Sequence, residues 1–160
     1  MNRRDLLKIA ITSPAWLAIS ALQAEAIDRE PYLYVFRHNA AKGGGKLSYW
    51  SSEPSGSVIP PPLISSTFWE NPDNLIPAKR YTGCSVTTMT TKGYRAIYLP
   101  DEQTGKTGIF IHQGSSPSHS DGCIVCSKSV IDFIFERTDK NAKNIIVDVI
   151  DKQPQPVDDW

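Results

Sequence analysis

A thiol and an imidazole share one short stretch of this chain, Thr107–Cys126, which reads TGIFIHQGSSPSHSDGCIVC. His112 closes the apolar run Gly108-Ile109-Phe110-Ile111, and Cys123 follows the Gly/Ser/Pro cluster that starts at Gly114. Both therefore sit where an extended segment meets a loop. A thiol is mostly protonated at neutral pH, and the thiolate is the attacking form, so a cysteine nucleophile needs a base within reach. His112 is the expected base for Cys123. His119, on the Ser-rich loop, competes for that role, but a strand end fixes an imidazole better than a loop does. Gly122 lets the backbone approach a substrate with no Cβ in the way. The N–H groups of Gly122 and Cys123 are then candidates for holding an oxyanion. Ser120 could hydrogen-bond a substrate or its own loop, and Asp121 could cap the turn or orient an imidazole. The candidate catalytic residues are thus Cys123, His112, Ser120 and Gly122, with Gly114, His119 and Asp121 as candidate substrate contacts.

The elements that must position these residues read mostly as strands. Tyr32–Phe36 and Lys46–Trp50 flank a Gly-rich turn and predict a hairpin. Ser51–Pro62 is a Ser/Pro/Gly loop, and 65–74 shows no clear period, so it reads as loop with Phe68 and Trp69 as a hydrophobic anchor. Cys84–Met89, Tyr94–Leu99 and Gly108–Ile111 read as strands, with Asp101–Lys106 a polar turn between the last two. After Cys126, Ser127 is a good N-cap for a helix to about Arg137, whose Val130, Ile131, Ile134 and Phe135 share one face. Ile145–Ile150 is a last strand. Six strands and one short helix predict a mainly β domain, a curved sandwich or barrel with the helix packed at one edge.

Composition narrows the function classes. The chain has 160 residues, enough for one domain, and its 17 Lys+Arg balance 17 Asp+Glu. That gives no electrostatic case for nucleic acid or an anionic membrane. A phosphate-loop reading of Gly43-Gly44-Gly45-Lys46 fails, because Ala40 and Leu47 occupy the required Gly and Ser/Thr positions. No zinc-type ligand cluster stands out, and no cofactor is expected. Residues 1–26 read as a signal peptide of the twin-arginine kind: Arg3-Arg4 precede an apolar segment, and Ala24-Glu25-Ala26 fits a cleavage site. The expected organisation is a leader over 1–26, one domain over 27–150 and a tail over 151–160, exported to the periplasm or cell envelope. In that compartment three cysteines leave one unpaired. Cys84 and Cys126 could bridge and leave Cys123 free. Alternatively Cys123 and Cys126 form a C-x-x-C redox pair, which would make the protein a thiol–disulfide oxidoreductase.

The active-site stretch resembles that of YkuD-type L,D-transpeptidases, in which a His on a strand is followed after a loop by Ser/Thr-His-Gly-Cys and an apolar residue. The matching residues are His112, Ser120, Gly122, Cys123 and Ile124, with Asp121 where the family has a second His. The short loop is similar to the compact YkuD-like domains, some of which are secreted antibacterial effectors. Ile76-Pro77-Ala78 ahead of Tyr81 resembles a phrase that precedes a core strand in those domains. The resemblance implies a curved β sandwich or barrel and a thioester on Cys123. It further implies acyl transfer on peptidoglycan stem peptides, as L,D-transpeptidase, D-amino-acid exchange or L,D-carboxypeptidase. A catalytically inactive domain of the same fold that binds cell wall is the remaining alternative.

Overall fold

Leu33 and Val35 alternate with Tyr34 and Phe36 along the first strand, and only Leu33 and Val35 are completely buried. A period of two is what a strand with one face on a core requires. The same alternation builds eight strands in a computed structural model that describes residues 30–152. They are β1 (Tyr32–Asn39), β2 (Gly44–Trp50), β3 (Ile64–Trp69) and β4 (Arg80–Thr88), then β5 (Arg95–Leu99), β6 (Ile109–Gln113), β7 (Ile124–Cys126) and β8 (Ile145–Asp151). They close into a barrel in the order β1-β2-β3-β7-β6-β5-β4-β8. Closure matters because every open strand edge exposes unpaired N–H and C=O groups. Two pairs are parallel, β1 with β8 and β6 with β7; the other pairs are antiparallel.

A four-residue helix, α1 (Asp101–Thr104), replaces the expected polar turn. The longer α2 (Lys128–Arg137) follows β7 directly. Its Val130, Ile131, Ile134 and Phe135 join the core cluster of the barrel, each burial contributing about 1.5–3 kcal/mol. Ser127 stands at the N-cap but makes no capping bond to the backbone; its Oγ instead pairs with Ser129 Oγ at 3.1 Å.

Two strands depart from the expected pattern. β3 forms where the sequence reads as loop for want of a clear period over 65–74; Ser65, Ser66 and Thr67 leave Phe68 as its one fully buried side chain. It is held by its ladder to β2, where Lys46 faces Thr67 and Ser48 faces Ser65. β7 has only three residues, too few for a period to be read, yet it links β3 to β6 and so completes the barrel. Residues 1–26 and 153–160 lie outside the described residues, and β8 runs to Asp151, just inside the expected tail. No described helix is long and apolar enough to cross a membrane.

Arg37 follows Leu33 and Val35 on the inward side of β1 and is as buried as they are, 2% exposed. A charge there must be fully partnered. Glu70, 1% exposed, takes it side-on at 2.6 and 2.7 Å; the Ile76 carbonyl accepts at 3.0 Å and Asp151 at 3.1 Å. This cluster ties the end of β1 to β8 and to the chain leaving β3.

Candidate active site

The site is set by the register of β6 against β7. Ile111 pairs with Ile124, His112 with Val125 and Gln113 with Cys126. Ile111, Ile124 and Cys126 belong to the core cluster. Alternation therefore turns His112 and Val125 to the outer face. Trp69 on β3 pairs with Val125 from the other side, so Trp69, Val125 and His112 form a row across three strands. Cys123 lies one residue before β7. At about 4.8 Å between strands and 3.3 Å per residue, its Cα is roughly 8 Å from that of His112.

His112 is 3% exposed, and its Nδ1 lies 2.8 Å from the Gln113 carbonyl. A carbonyl only accepts, so Nδ1 carries the proton and Nε2 keeps a lone pair. Burial, chiefly, pushes this imidazole below its ordinary value of 6.5; the charge of Lys92, and that of His119 when it is protonated, push the same way, and the Gln113 bond opposes them. Cys123 is 8% exposed, and burial is also the main reason its thiol is raised above 9.0. Asp121 adds to that rise, while the Phe110 backbone and Lys92 oppose it. The thiol donates weakly to the Gly108 carbonyl at 3.9 Å. Both shifts favour the neutral forms, a protonated thiol and an uncharged imidazole whose Nε2 is bare.

The turn before Cys123 is stapled to the chain that follows β3. Ser120, buried, donates to the Cys123 carbonyl and accepts from the Asn71 N–H at 3.3 Å. Of its two expected roles, the structure realises the loop contact. Asp121 is exposed and accepts from Asn74 Nδ2 at 3.2 Å. Lys106 grips Asn74 in turn, through its side-chain oxygen, its carbonyl at 2.8 Å and the next carbonyl at 3.1 Å. Asp121 thus fastens the turn, and its hydrogen bond goes to an amide rather than to an imidazole. Gly122 adopts φ 88°, and a Cβ there would sit 3.2 Å from both Asn74 Nδ2 and Ile109 Cδ1. Gly114 donates to the Cys126 carbonyl at 2.9 Å, and a Cβ on it would come within 2.8 Å of Val125 Cβ.

A cavity of about 650 Å³ opens over this face, its wall including Trp69, Lys92, Tyr94, His112, Gly114 and His119. His119 sits on the 3₁₀ turn Pro117–His119, where its Nδ1 accepts from the Ser115 N–H at 3.2 Å. That leaves the proton on Nε2, the reverse of the His112 tautomer. The structure therefore brings His112, Gly114 and His119 to the cavity. Ser120, Asp121, Gly122 and Cys123 are not among its lining residues. Sequence reasoning missed Lys92, Asn71, Asn74 and Lys106, which are polar residues on loops with no local pattern to mark them.

All three cysteines are free thiols. Ile124–Cys126 is extended, so Cys123 and Cys126 point to opposite faces with Cα atoms about 10 Å apart. A disulfide spans at most about 7 Å, so this C-x-x-C cannot close without moving backbone. Cys84 and Cys126 both face the core, and burial pushes each thiol up to about 12. Among the described residues, no three His, Cys, Asp or Glu side chains converge as a metal site would need.

The family model for the L,D-transpeptidase catalytic domain, YkuD, matches residues 26–148. No curated protein and no solved structure matches the chain.

Proposed function

The chain belongs to the YkuD family of L,D-transpeptidase catalytic domains, and from that premise we propose that it transfers acyl groups of peptidoglycan stem peptides through a thioester on Cys123. The thiol leaves the Gly108 carbonyl and attacks the carbonyl carbon that precedes the terminal D-amino acid. His112 Nε2 takes the thiol proton as the carbon–sulfur bond forms, a role contributing about 10²–10⁴-fold. The N–H groups of Gly122 and Cys123 meet the oxyanion. Collapse breaks the carbon–nitrogen bond, the imidazolium returns its proton to the departing amine, and the thioester remains. An amine acceptor then gives transpeptidation or D-amino-acid exchange, and water gives the L,D-carboxypeptidase outcome. Ser120 and Asp121 keep the turn in place, and Gly114 and His119 meet the substrate in the cavity.

The observation that carries this reading is the tautomer of His112: a buried imidazole with its bare Nε2 available, on the strand beside the cysteine. The test is to incubate the purified protein with tetrapeptide muropeptides and follow D-alanine release, with an insulin-reduction assay in parallel. Release is expected, abolished by Cys123→Ala and nearly so by His112→Ala. Insulin reduction alone would instead favour the oxidoreductase reading, and binding without turnover the inactive cell-wall domain. The reading includes export, with residues 1–26 removed. Mass spectrometry of periplasmic material is expected to show Ile27 or a near neighbour as first residue, and an intact Met1 would contradict it.

A further inference from the structure

The cavity beside His112 is cationic in a chain whose formal charge is zero. Its wall carries the ammonium groups of Lys92 and Lys128 beside the imidazoles of His112 and His119, and no carboxylate. Lys128 is committed elsewhere, bonded to Asp132 one turn along α2. Lys92, on the turn between β4 and β5, is exposed and has no hydrogen-bond or ion-pair partner among the described residues. Its charge is felt at both working groups, lowering His112 and opposing the rise of Cys123. Lys92 shares the cavity wall with His112, the proposed base, so a substrate anion entering that cavity would meet an uncommitted ammonium. In the acyl transfer proposed above, that anion is the C-terminal carboxylate of the departing residue, separated from the scissile carbonyl carbon by only the amide nitrogen and one Cα.

We propose that Lys92 anchors this terminal carboxylate and so makes the site selective for stem peptides whose last D-amino acid is free. The inference rests on the acyl-transfer reading and deepens it. A stem whose terminal carboxyl is tied up in an amide or a cross-link offers no anion to Lys92. It also leaves the ammonium facing an uncharged group at the cavity wall. A lysine serves here as a point charge, so arginine retains most of the function and methionine, of similar length, does not.

The experiment compares a tetrapeptide stem ending in D-alanine with the same peptide ending in D-alanine amide. For the protein with Lys92, kcat/KM is expected to favour the acid by about 10–100-fold, the range of one hydrogen bond to a charged group. Lys92→Met is expected to erase the preference by lowering kcat/KM for the acid far more than for the amide, chiefly through KM. Lys92→Arg is expected to keep most of the preference. Equal losses on both peptides in Lys92→Met, or no preference in the parent protein, would overturn the proposal. Calorimetric titration of the Cys123→Ala protein with the two peptides reads the same preference without turnover. Preference in binding with no turnover by the parent would sink the acyl-transfer reading while leaving the carboxylate anchor standing. Turnover with equal binding of acid and amide would do the reverse.

Discussion

Replacing Gly122 by alanine perturbs the turn that carries Cys123 in two separable ways. Its φ of 88° lies where a side chain costs about 1–3 kcal/mol. The new Cβ would also press on Asn74 Nδ2 and Ile109 Cδ1, each at 3.2 Å. Asn74 cannot easily yield, because Lys106 holds it and the neighbouring carbonyls. Overpacking of this kind costs about 1–3 kcal/mol, so a turn that stays in place loses roughly 2–6 kcal/mol in all. For a domain of this size that lowers Tm by about 6–30 °C. A turn that gives way instead keeps stability but shifts Cys123, and a displacement of about 1 Å costs on the order of 100-fold in rate. Gly56→Ala is the control: its φ is 94°, no atom lies within 4 Å of the added Cβ, and it lies on the loop between β2 and β3. It is expected to lose only the backbone part, about 1–3 kcal/mol, with activity unchanged. The assay is a thermal melt paired with D-alanine release for both variants. Gly122→Ala with the melt and turnover of the parent protein would refute the packing described for this turn.

Four further outcomes follow from the structure. Ser120→Ala leaves the Cys123 carbonyl and the Asn71 N–H without their partner, so the melt is expected to report a loss of about 1–3 kcal/mol, and kcat to fall more than KM rises. Glu70→Ala strands the buried Arg37 guanidinium and is expected to cost about 3–5 kcal/mol by denaturant titration, whereas Arg37→Met combined with Glu70→Leu recovers most of it. Because burial raises the Cys123 thiol above 9.0, its alkylation rate is expected to keep rising with pH beyond 9 before it levels off. The acid limb of kcat/KM is expected below pH 6.5. The stability sign agrees: His112 binds its proton less readily folded than unfolded, so its contribution is present above 6.5 and is lost as pH falls through the lower folded value.

Much of the barrel was legible because alternation survives translation into structure. Leu33/Val35 on β1, Ile109/Ile111 on β6 and Ile145/Val147/Val149 on β8 all face the core cluster. The face of α2 was equally plain from Val130, Ile131, Ile134 and Phe135. β3 and β7 were not legible, since the first is mostly hydroxyl residues and the second is shorter than one full alternation. Their pairing is nevertheless what brings Asn71 and Asn74 against Ser120, Asp121 and Gly122, across some fifty residues of chain. No local pattern encodes such a staple. It exists only once the barrel has closed. Arg37 did carry a signal, as a charge on the inward side of an alternating strand, but its partner Glu70 has none.

The central claim is a covalent one, and intact-protein mass spectrometry tests it most directly. The protein is quenched during turnover of a tetrapeptide stem ending in D-alanine, and the adduct is mapped by peptide digestion. The expected result is an increase equal to the substrate less its D-alanine, located on Cys123 and absent from Cys123→Ala. An adduct on Cys84 or Cys126, or D-alanine release that persists in Cys123→Ala, would contradict it.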